Sequence, residues 1–389
     1  MKYLIYVFFL FLFSCDPKDK NTTMEEERKV GKTVSFEKLN SIQIDYLGNP
    51  TVHDLDPESE TILFVEDREF SDEIHVADFD GNIMASFSKT GDVPDSYGAL
   101  MATLRINGDS SFIAYSYNGF LTYDFSGQLQ SRIKLKEFQV PNFYTMAMGF
   151  GMEKLKGKYL YIDQGSRLLD YSSINVYQEM RLLNWLDPET GERESFIYFP
   201  ENSIFRSGKY FFRDSWAPAF TLADDLIYVA FGIEPVIYLY ETAFPYSLVS
   251  SIPLDLPDYQ DYKGSDSYLI SLSLRTTSGR IENIKKIYGF IVVAYFPGYN
   301  ASDIKESFTN KTPEEAMVFR ERMREKYTSR IAILDSLGNL INDFVPGRLD
   351  PKSMLLRNDQ LWMFETPDLE TEQDYFRLFR VGLKIEGSE

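Results

Sequence analysis

The chain has 389 residues, 44% of them apolar and 15% aromatic, enough to bury a large core in one big domain or two ordinary ones. Its 59 acidic and 40 basic residues give a net charge of -19, a field that repels phosphate backbones and argues against nucleic acid as a partner. The single cysteine excludes an intrachain disulfide and a thiolate metal cluster, and two histidines are too few for histidine-rich zinc chemistry.

The first 15 residues have the pattern of an export signal. Lys2 gives a positive start, and Leu4 to Phe13 form an uncharged apolar run of ten residues, the length of a signal-peptide core and too short to span a bilayer. Leu12, Ser14 and Cys15 then resemble the lipobox of bacterial lipoproteins, although Phe13 is bulkier than usual at its position. The resemblance implies a signal peptide over residues 1–14 and a lipid anchor on Cys15.

A flexible tether is predicted over residues 15–38, followed by a globular body over residues 39–389. From Asp16 to Thr33 the chain is polar, charged and nearly free of aliphatic residues, which is typical of a disordered segment. We therefore expect the body to be held at a bacterial cell-envelope membrane, with the outer membrane as the first expectation and the inner membrane as the alternative. It would face the periplasm or the cell surface.

The body contains a repeated hairpin pattern, in which an apolar strand is followed by Asp, two or three residues, Gly and a second strand. The four examples are Ile74 to Phe87, Phe120 to Leu135, Leu182 to Phe199 and Ile331 to Phe344. Asp and Gly accept turn conformations that β-branched residues resist, so each stretch is predicted to be a β-hairpin. A proline follows each second strand, and Pro50 and Pro257 mark two further units.

Six proline-marked units, mostly 44 to 59 residues apart, predict an all-β fold, a six-bladed β-propeller of four-stranded blades. The last unit lacks a strand, and we expect the N-terminal strand at Ser41 to Leu47 to complete it and close the ring. One unit is longer because it contains a helix near residues 312–327, where Thr312, Pro313 and Glu315 form an N-cap, a first-turn proline and a capping-box acid. A β-sandwich, or two smaller β domains, is the alternative architecture.

A short segment after the first hairpin carries a family resemblance. Lys89 to Gly98 reads KTGDVPDSYG, in which Gly91, Pro94 and Tyr97 resemble the Gly-rich, Tyr-ended turn of the six-bladed β-propeller lipoproteins of Gram-negative bacteria, a largely uncharacterised group in the TolB-like propeller superfamily. Asp92 and Val93 stand where that turn is usually richer in glycine. The resemblance implies a fold and a location but no reaction.

Candidate ligand-binding residues lie on the proline-containing loops, because these loops gather on one face of a propeller around its channel. Aromatic and Arg or Asp side chains in this arrangement suit sugars, peptides or carboxylates. The candidates are Tyr97, Tyr144, Arg206, Tyr210, Arg213, Asp214, Trp216, Arg348 and Asp350. His53, beside Asp54, is predicted to lie near the channel, and no metal site or cofactor is predicted beyond a weak possibility of calcium at acidic pairs such as Asp224-Asp225.

These observations favour a non-enzymatic binding propeller, contacting an envelope protein or an extracellular ligand such as a glycan through its loop face. No phosphate loop, nucleophile elbow or zinc-ligand spacing occurs in the sequence. Two distant carboxylates leave no spacing pattern, so a glycan or ester hydrolase or lyase acting in the channel is a second hypothesis. A structural subunit of an envelope complex is the third.

Overall fold

The structure is a computed structural model that describes residues 33–68, 71–136, 146–162, 169–368, 371 and 373–386. Six antiparallel four-stranded sheets account for the 24 strands found there. In chain order the strands are β1 (Thr33–Asp45), β2 (Pro50–Asp56), β3 (Thr61–Arg68), β4 (Ser71–Asp78), β5 (Ile83–Ser88), β6 (Arg105–Ile106), β7 (Ser111–Ser116), β8 (Gly119–Asp124), β9 (Leu129–Ile133), β10 (Glu153–Leu155), β11 (Lys158–Ile162), β12 (Leu183–Leu186), β13 (Arg193–Phe196), β14 (Pro218–Ala223), β15 (Leu226–Phe231), β16 (Val236–Glu241), β17 (Leu248–Pro253), β18 (Arg280–Ile287), β19 (Phe290–Phe296), β20 (Arg330–Leu334), β21 (Leu340–Phe344), β22 (Leu355–Arg357), β23 (Gln360–Phe364) and β24 (Tyr375–Glu386).

Each sheet is one blade of a propeller. Blades 1 to 5 take four consecutive strands each, from β2–β5 to β18–β21, and blade 6 has the order β1-β24-β23-β22. The predicted six-bladed fold and its closure by the N-terminal strand are therefore confirmed. The closing strand begins at Thr33, whereas the sequence places the tether through residue 38. Val34 is buried and belongs to the blade 6 core, so the strand extends further toward the N-terminus than the pattern suggested.

The repeated hairpins join the third and fourth strands of their blades, and each glycine has a structural reason. Gly81 and Gly338 have φ values of +88° and +90°, which disfavour a side chain. A Cβ on Gly81 would lie 2.1 Å from the carbonyl oxygen of Gln43, on the outer strand of the preceding blade. On Gly338 it would lie 2.2 Å from a methyl carbon of Ile252 on β17. The repeat therefore encodes the docking of one blade on the next.

The two faces of the ring differ. The connections from each outer strand to the next inner strand, and from the second to the third strand of each blade, all open on one face, which we call the loop face. This face carries all the helices of the described residues: α1 (Val176–Glu179), α2 (Leu274–Thr277), α3 (Ala301–Ser307) and α4 (Pro313–Lys326), together with the 3-10 turns Ile204–Arg206 and Pro351–Ser353. The opposite face, which we call the short-turn face, carries the remaining hairpin turns.

The predicted helix is confirmed as α4, including its capping box between Thr312 and Glu315. Met323 is its buried residue. The preceding helix α3, which the sequence did not reveal, contacts it through the side chain of Asp303, which accepts hydrogen bonds from Lys326 and Tyr327. No described helix is long and apolar enough to cross a membrane.

Candidate functional site

Four charged side chains from the innermost strands meet at the centre of the ring. Asp54 on β2 accepts hydrogen bonds from Arg105 Nη1 on β6 at 2.7 Å and from Arg357 Nε on β22 at 2.9 Å. Arg357 Nη1 also donates to Glu153 Oε1 on β10 at 2.9 Å. Because the contacts join blades 1, 2, 3 and 6, they cross the central channel. Ion pairs therefore occupy the channel at this level.

Protonation within this network follows from burial and charge. Burial alone would raise the pKa of Asp54, but the charges of Arg105 and Arg357 outweigh it and lower the pKa. Burial lowers the pKa of Lys285 on β18 to about 8, against the opposing charge of Glu153. An ionised Asp54 held by two guanidinium groups is a structural ion pair and a poor proton donor.

A glycine-flanked loop, Gly149-Phe150-Gly151, covers this network on the loop-face side. A Cβ on Gly149 would lie 2.6 Å from Asn283 Nδ2 and 2.7 Å from the carbonyl oxygen of Lys352. Asn283 Nδ2 in turn donates to the Lys352 carbonyl at 2.7 Å. The close approach of backbone to β18 requires glycine here, and it presents Phe150 at the mouth of the channel.

Above this loop lies a cavity of about 360 Å³, which we call the charged cavity. It is formed by the loops that precede β10, β14, β18 and β22. Its lining includes Phe150, Phe212, Asp214, Ser215, Arg275, Arg280, Glu282 and Lys352. Glu282 is 6% exposed, and its Oε1 lies 3.0 Å from Arg280 Nη2 and 3.3 Å from Lys352 Nζ. Arg275 Nη2 pairs with Asp214 Oδ2 at 2.9 Å.

Four buried polar atoms of the charged cavity find no hydrogen-bond partner among the described residues: Ser215 Oγ, Arg280 Nη1 and both carboxylate oxygens of Glu282. The ion-pair contacts of Glu282 lack hydrogen-bond geometry and so do not satisfy its lone pairs. Buried polar groups are satisfied in the great majority of native structures, because each unsatisfied one costs roughly 1–3 kcal/mol. The cavity therefore holds donors and acceptors suited to a polar ligand.

A second cavity of about 210 Å³ adjoins the first and is less polar; we call it the apolar cavity. Val52, Met148, Phe150 and Phe364 supply its apolar wall, and Asp350 and Lys352 supply its polar edge. Burial raises the pKa of Asp350, and the negative charge of Glu282 adds to that rise, while the backbone N–H of Lys352 opposes it.

Of the residues that the sequence singled out, two line these cavities, namely Asp214 and Asp350. Tyr97 is fully buried in the core between blades 1 and 2, and Trp216 is 3% exposed and stacks on Tyr171. The expectation that these two rings offer platforms to a ligand is thus corrected: both pack inward beneath their loops. Tyr144 lies outside the described residues.

The other candidates take structural or peripheral positions. Arg206 lies half-buried in a 3-10 turn, Tyr210 pairs with Tyr268, and Arg213 is exposed beside Tyr171. Arg348 is exposed near Glu365. Of the candidates on the loop before β14, only Asp214 lines the charged cavity, whereas Arg206 and Arg213 do not.

His53 lies next to the channel network, as predicted, but serves the packing of two blades. It is 3% exposed, and its Nδ1 accepts the backbone N–H of Leu104 at 3.1 Å. Burial lowers its pKa to about 4, in spite of the neighbouring charge of Asp54. The neutral ring is the form that can accept this hydrogen bond.

Sequence reasoning missed Arg275, Arg280, Glu282 and Lys352. One signal was available, since β18 reads RIENIKKI and mixes four charged residues with three isoleucines. A strand that buries its isoleucines and also carries closely spaced charges is suited to a channel wall. Among the described residues no three metal-ligating carboxylates or imidazoles come together, and Asp224 and Asp225 form the β14–β15 turn with positive φ.

One solved structure with a TM-score above 0.5 supports the fold. No family model and no curated protein matches the chain. A solved structure of a DUF4221 family member from Bacteroides vulgatus superposes with a TM-score of 0.63 at 11% identity, covering 90% of this chain and 99% of that one. A protein of unknown function from Bacteroides caccae superposes with a TM-score of 0.38 at 12% identity, covering 75% of this chain and 80% of that one. A gluconolactonase from Xanthomonas campestris superposes with a TM-score of 0.42 at 8% identity, covering 90% of this chain and 95% of that one.

Proposed function

We propose that this protein is a lipid-anchored binding propeller, held at a bacterial envelope membrane through Cys15, that binds a sugar in the charged cavity of its loop face. The proposal rests above all on one observation. Ser215, Arg280 and Glu282 line a single cavity, and together they carry four buried polar atoms without hydrogen-bond partners within the described chain.

Hydroxyl groups match this set because each can both donate and accept a hydrogen bond. The Glu282 carboxylate offers acceptors only, whereas Arg280 Nη1 offers a donor and Ser215 Oγ offers both. Phe150 and Phe212 add aromatic surface to the same cavity, against which the apolar face of a sugar ring could pack. A ligand with several hydroxyl groups offers both donors and acceptors to these residues, whose side chains would turn toward the cavity to reach it.

Calorimetric titration with monosaccharides and uronic acids tests the binding site. We expect Glu282→Gln to weaken binding by about tenfold or more, since a hydrogen bond to a charged group is worth roughly 1.5–3 kcal/mol. The matched control is Glu192→Gln, because Glu192 is an exposed acid in a hairpin turn of the short-turn face. Equal affinities of Glu282→Gln and the unchanged protein would refute the site.

Fatty-acid labelling of the full chain in a Gram-negative host tests the anchor. We expect label on the unchanged protein and none on Cys15→Ser, together with loss of that variant from the membrane fraction. If Cys15→Ser stays with the membrane, the lipid anchor and the membership of the propeller lipoprotein group that it supports are both wrong.

A hydrolase is the second candidate, because two carboxylates flank Lys352 at the channel mouth. Glu282 is within 3.3 Å of Lys352 Nζ, and the raised pKa of Asp350 suits a proton donor. Release of reducing ends from a bound glycan, lost in both Glu282→Gln and Asp350→Asn, would favour this candidate over binding alone.

A role as a structural subunit of an envelope complex has its own support. On the loop that precedes β18, Leu269 and Leu272 are 87% and 83% exposed, and Tyr268 is half exposed. Large apolar side chains grouped on a surface commonly mark a protein interface. Crosslinking of intact cells, with Leu269→Ser and Leu272→Ser compared with the unchanged chain, would detect a partner held by these residues.

A further inference from the structure

Three neighbouring cavities, which together we call the groove, lie in a row on the loop face, and the charged cavity is one end of it. The charged and apolar cavities share Phe150 and Lys352 as a common wall. The apolar cavity in turn shares Pro50, Thr51 and Phe364 with a third cavity of about 550 Å³, which we call the rim cavity. The three therefore run in sequence from blades 4 and 5, past the channel mouth, to blades 6 and 1.

The size of this groove exceeds the needs of one sugar. The cavity volumes are about 360, 210 and 550 Å³, and combined they pass the roughly 1,000 Å³ that marks the upper end of small-molecule sites. Its rim end offers Asn49, Gln373 and the ring of Tyr375. Polar ends joined by an apolar centre suit a ligand with repeating units.

The charges that line the charged cavity indicate which kind of sugar unit it would bind. Arg275, Arg280 and Lys352 line the charged cavity together with two carboxylates, those of Asp214 and Glu282. Asp350 lies beside Lys352 in the apolar cavity, where burial raises its pKa and so favours the neutral carboxyl group. That end thus carries one excess positive charge in a protein whose net charge is -19. A local positive charge in an acidic protein favours a ligand group with a carboxylate.

We propose that the groove binds a linear oligosaccharide, with an acidic sugar unit in the charged cavity and the following units over the apolar and rim cavities. The proposal rests on the proposed function and adds chain length and charge to it. A peptide fits less well, because an extended chain points successive N–H groups to opposite sides. A sugar hydroxyl can instead either donate to Glu282 or accept from Arg280, whichever way it points.

Titration with galacturonic acid and its linear dimers, trimers and tetramers tests the proposal, with glucose oligomers and oligoglutamate of equal lengths for comparison. We expect affinity to rise by about tenfold or more from monomer to trimer, equivalent to roughly 1.4 kcal/mol. Asn49→Trp, which places a large ring in the rim cavity, should remove most of that gain and leave the monomer affinity unchanged. The control is Glu189→Trp, an exposed position in a turn of the short-turn face.

The possible results distinguish binding along the whole groove from binding in the charged cavity alone. Monomer and trimer binding with equal affinity would overturn the groove and leave the proposed function intact. Oligoglutamate binding more tightly than the uronic acids would overturn the choice of oligosaccharide, and equal affinity for glucose oligomers would overturn the acidic unit. Failure of every sugar to bind the folded protein would overturn both proposals.

Discussion

Replacing Asp54 by Asn probes the charged centre of the ring without changing its shape. The carboxylate is fully buried and accepts three hydrogen bonds, from Arg105 Nη1 at 2.7 Å, the Ile106 backbone N–H at 2.8 Å and Arg357 Nε at 2.9 Å. Breaking a buried ion pair costs about 3–5 kcal/mol, since the remaining charge is left without compensation. Arg357 keeps Glu153 as a partner and Asn keeps one oxygen, so we expect a loss of about 3 kcal/mol.

Urea unfolding monitored by circular dichroism measures this loss through the transition midpoint at constant slope. Glu192→Gln is again the control, because its ion pair with Lys136 joins two side chains that are 58% and 64% exposed and exposed pairs contribute about 0–1 kcal/mol. The lowered pKa of Asp54 adds a second test. Its stabilisation is present above the pKa of an unfolded Asp and is lost as the pH falls, so Asp54→Asn should be less sensitive to acid than the unchanged chain. A loss below about 1 kcal/mol would refute a network that stabilises the ring.

Three further predictions concern stability. Burial lowers the pKa of His53 from 6.5 to about 4, so as the pH falls the unfolded chain binds a proton before the folded chain does. The free energy of unfolding should therefore fall by about 2–3 kcal/mol between pH 7 and pH 4.5. His53→Asn, which retains an acceptor for the Leu104 N–H, should remove this pH dependence in urea titrations at several pH values. Lys285→Met should raise the unfolding free energy by about 1 kcal/mol at pH 7, because relief of the buried ammonium, whose pKa burial lowers to about 8, outweighs the loss of its hydrogen bond to Asn283 Oδ1. A lower midpoint would contradict this. Gly81→Ala should lower the free energy of unfolding by about 2 kcal/mol more than Gly157→Ala, on the order of a severe core clash, as measured by thermal unfolding. Both glycines have similar positive φ values, but only a Cβ at Gly81 meets a neighbouring blade. Equal losses would show that backbone strain alone determines the effect.

The fold could be predicted because its information is local. The Asp and Gly of each hairpin satisfy their turn within a few residues, as where Asp335 Oδ1 accepts the backbone N–H groups of Leu337 and Asn339. The count of such units then gave the number of blades. The start of β1 was less accessible, because its exposed residues have the polar composition of the tether that precedes them.

The site could be predicted only in outline, because it is assembled from loops that are far apart in the chain. Asp214, Glu282 and Lys352 border one cavity although as many as 138 residues separate them. The sequence predicted that the proline-containing loops share one face, but not the inward turn of Tyr97 and Trp216, since an aromatic residue on a loop has the same local pattern whether it faces solvent or the core. Whether such an aromatic side chain is buried depends on the neighbouring blade.

The direction of β1 has a consequence for how the protein would sit on a cell. The strand pairs antiparallel with β24, with Thr33 beside Glu386 at the short-turn face and Asp45 beside Tyr375 at the loop face. The chain from Cys15 thus joins the ring on the side away from the groove. A lipid on Cys15, as proposed, would therefore tether the ring from its short-turn face and leave the loop face with its cavities clear of the point of attachment.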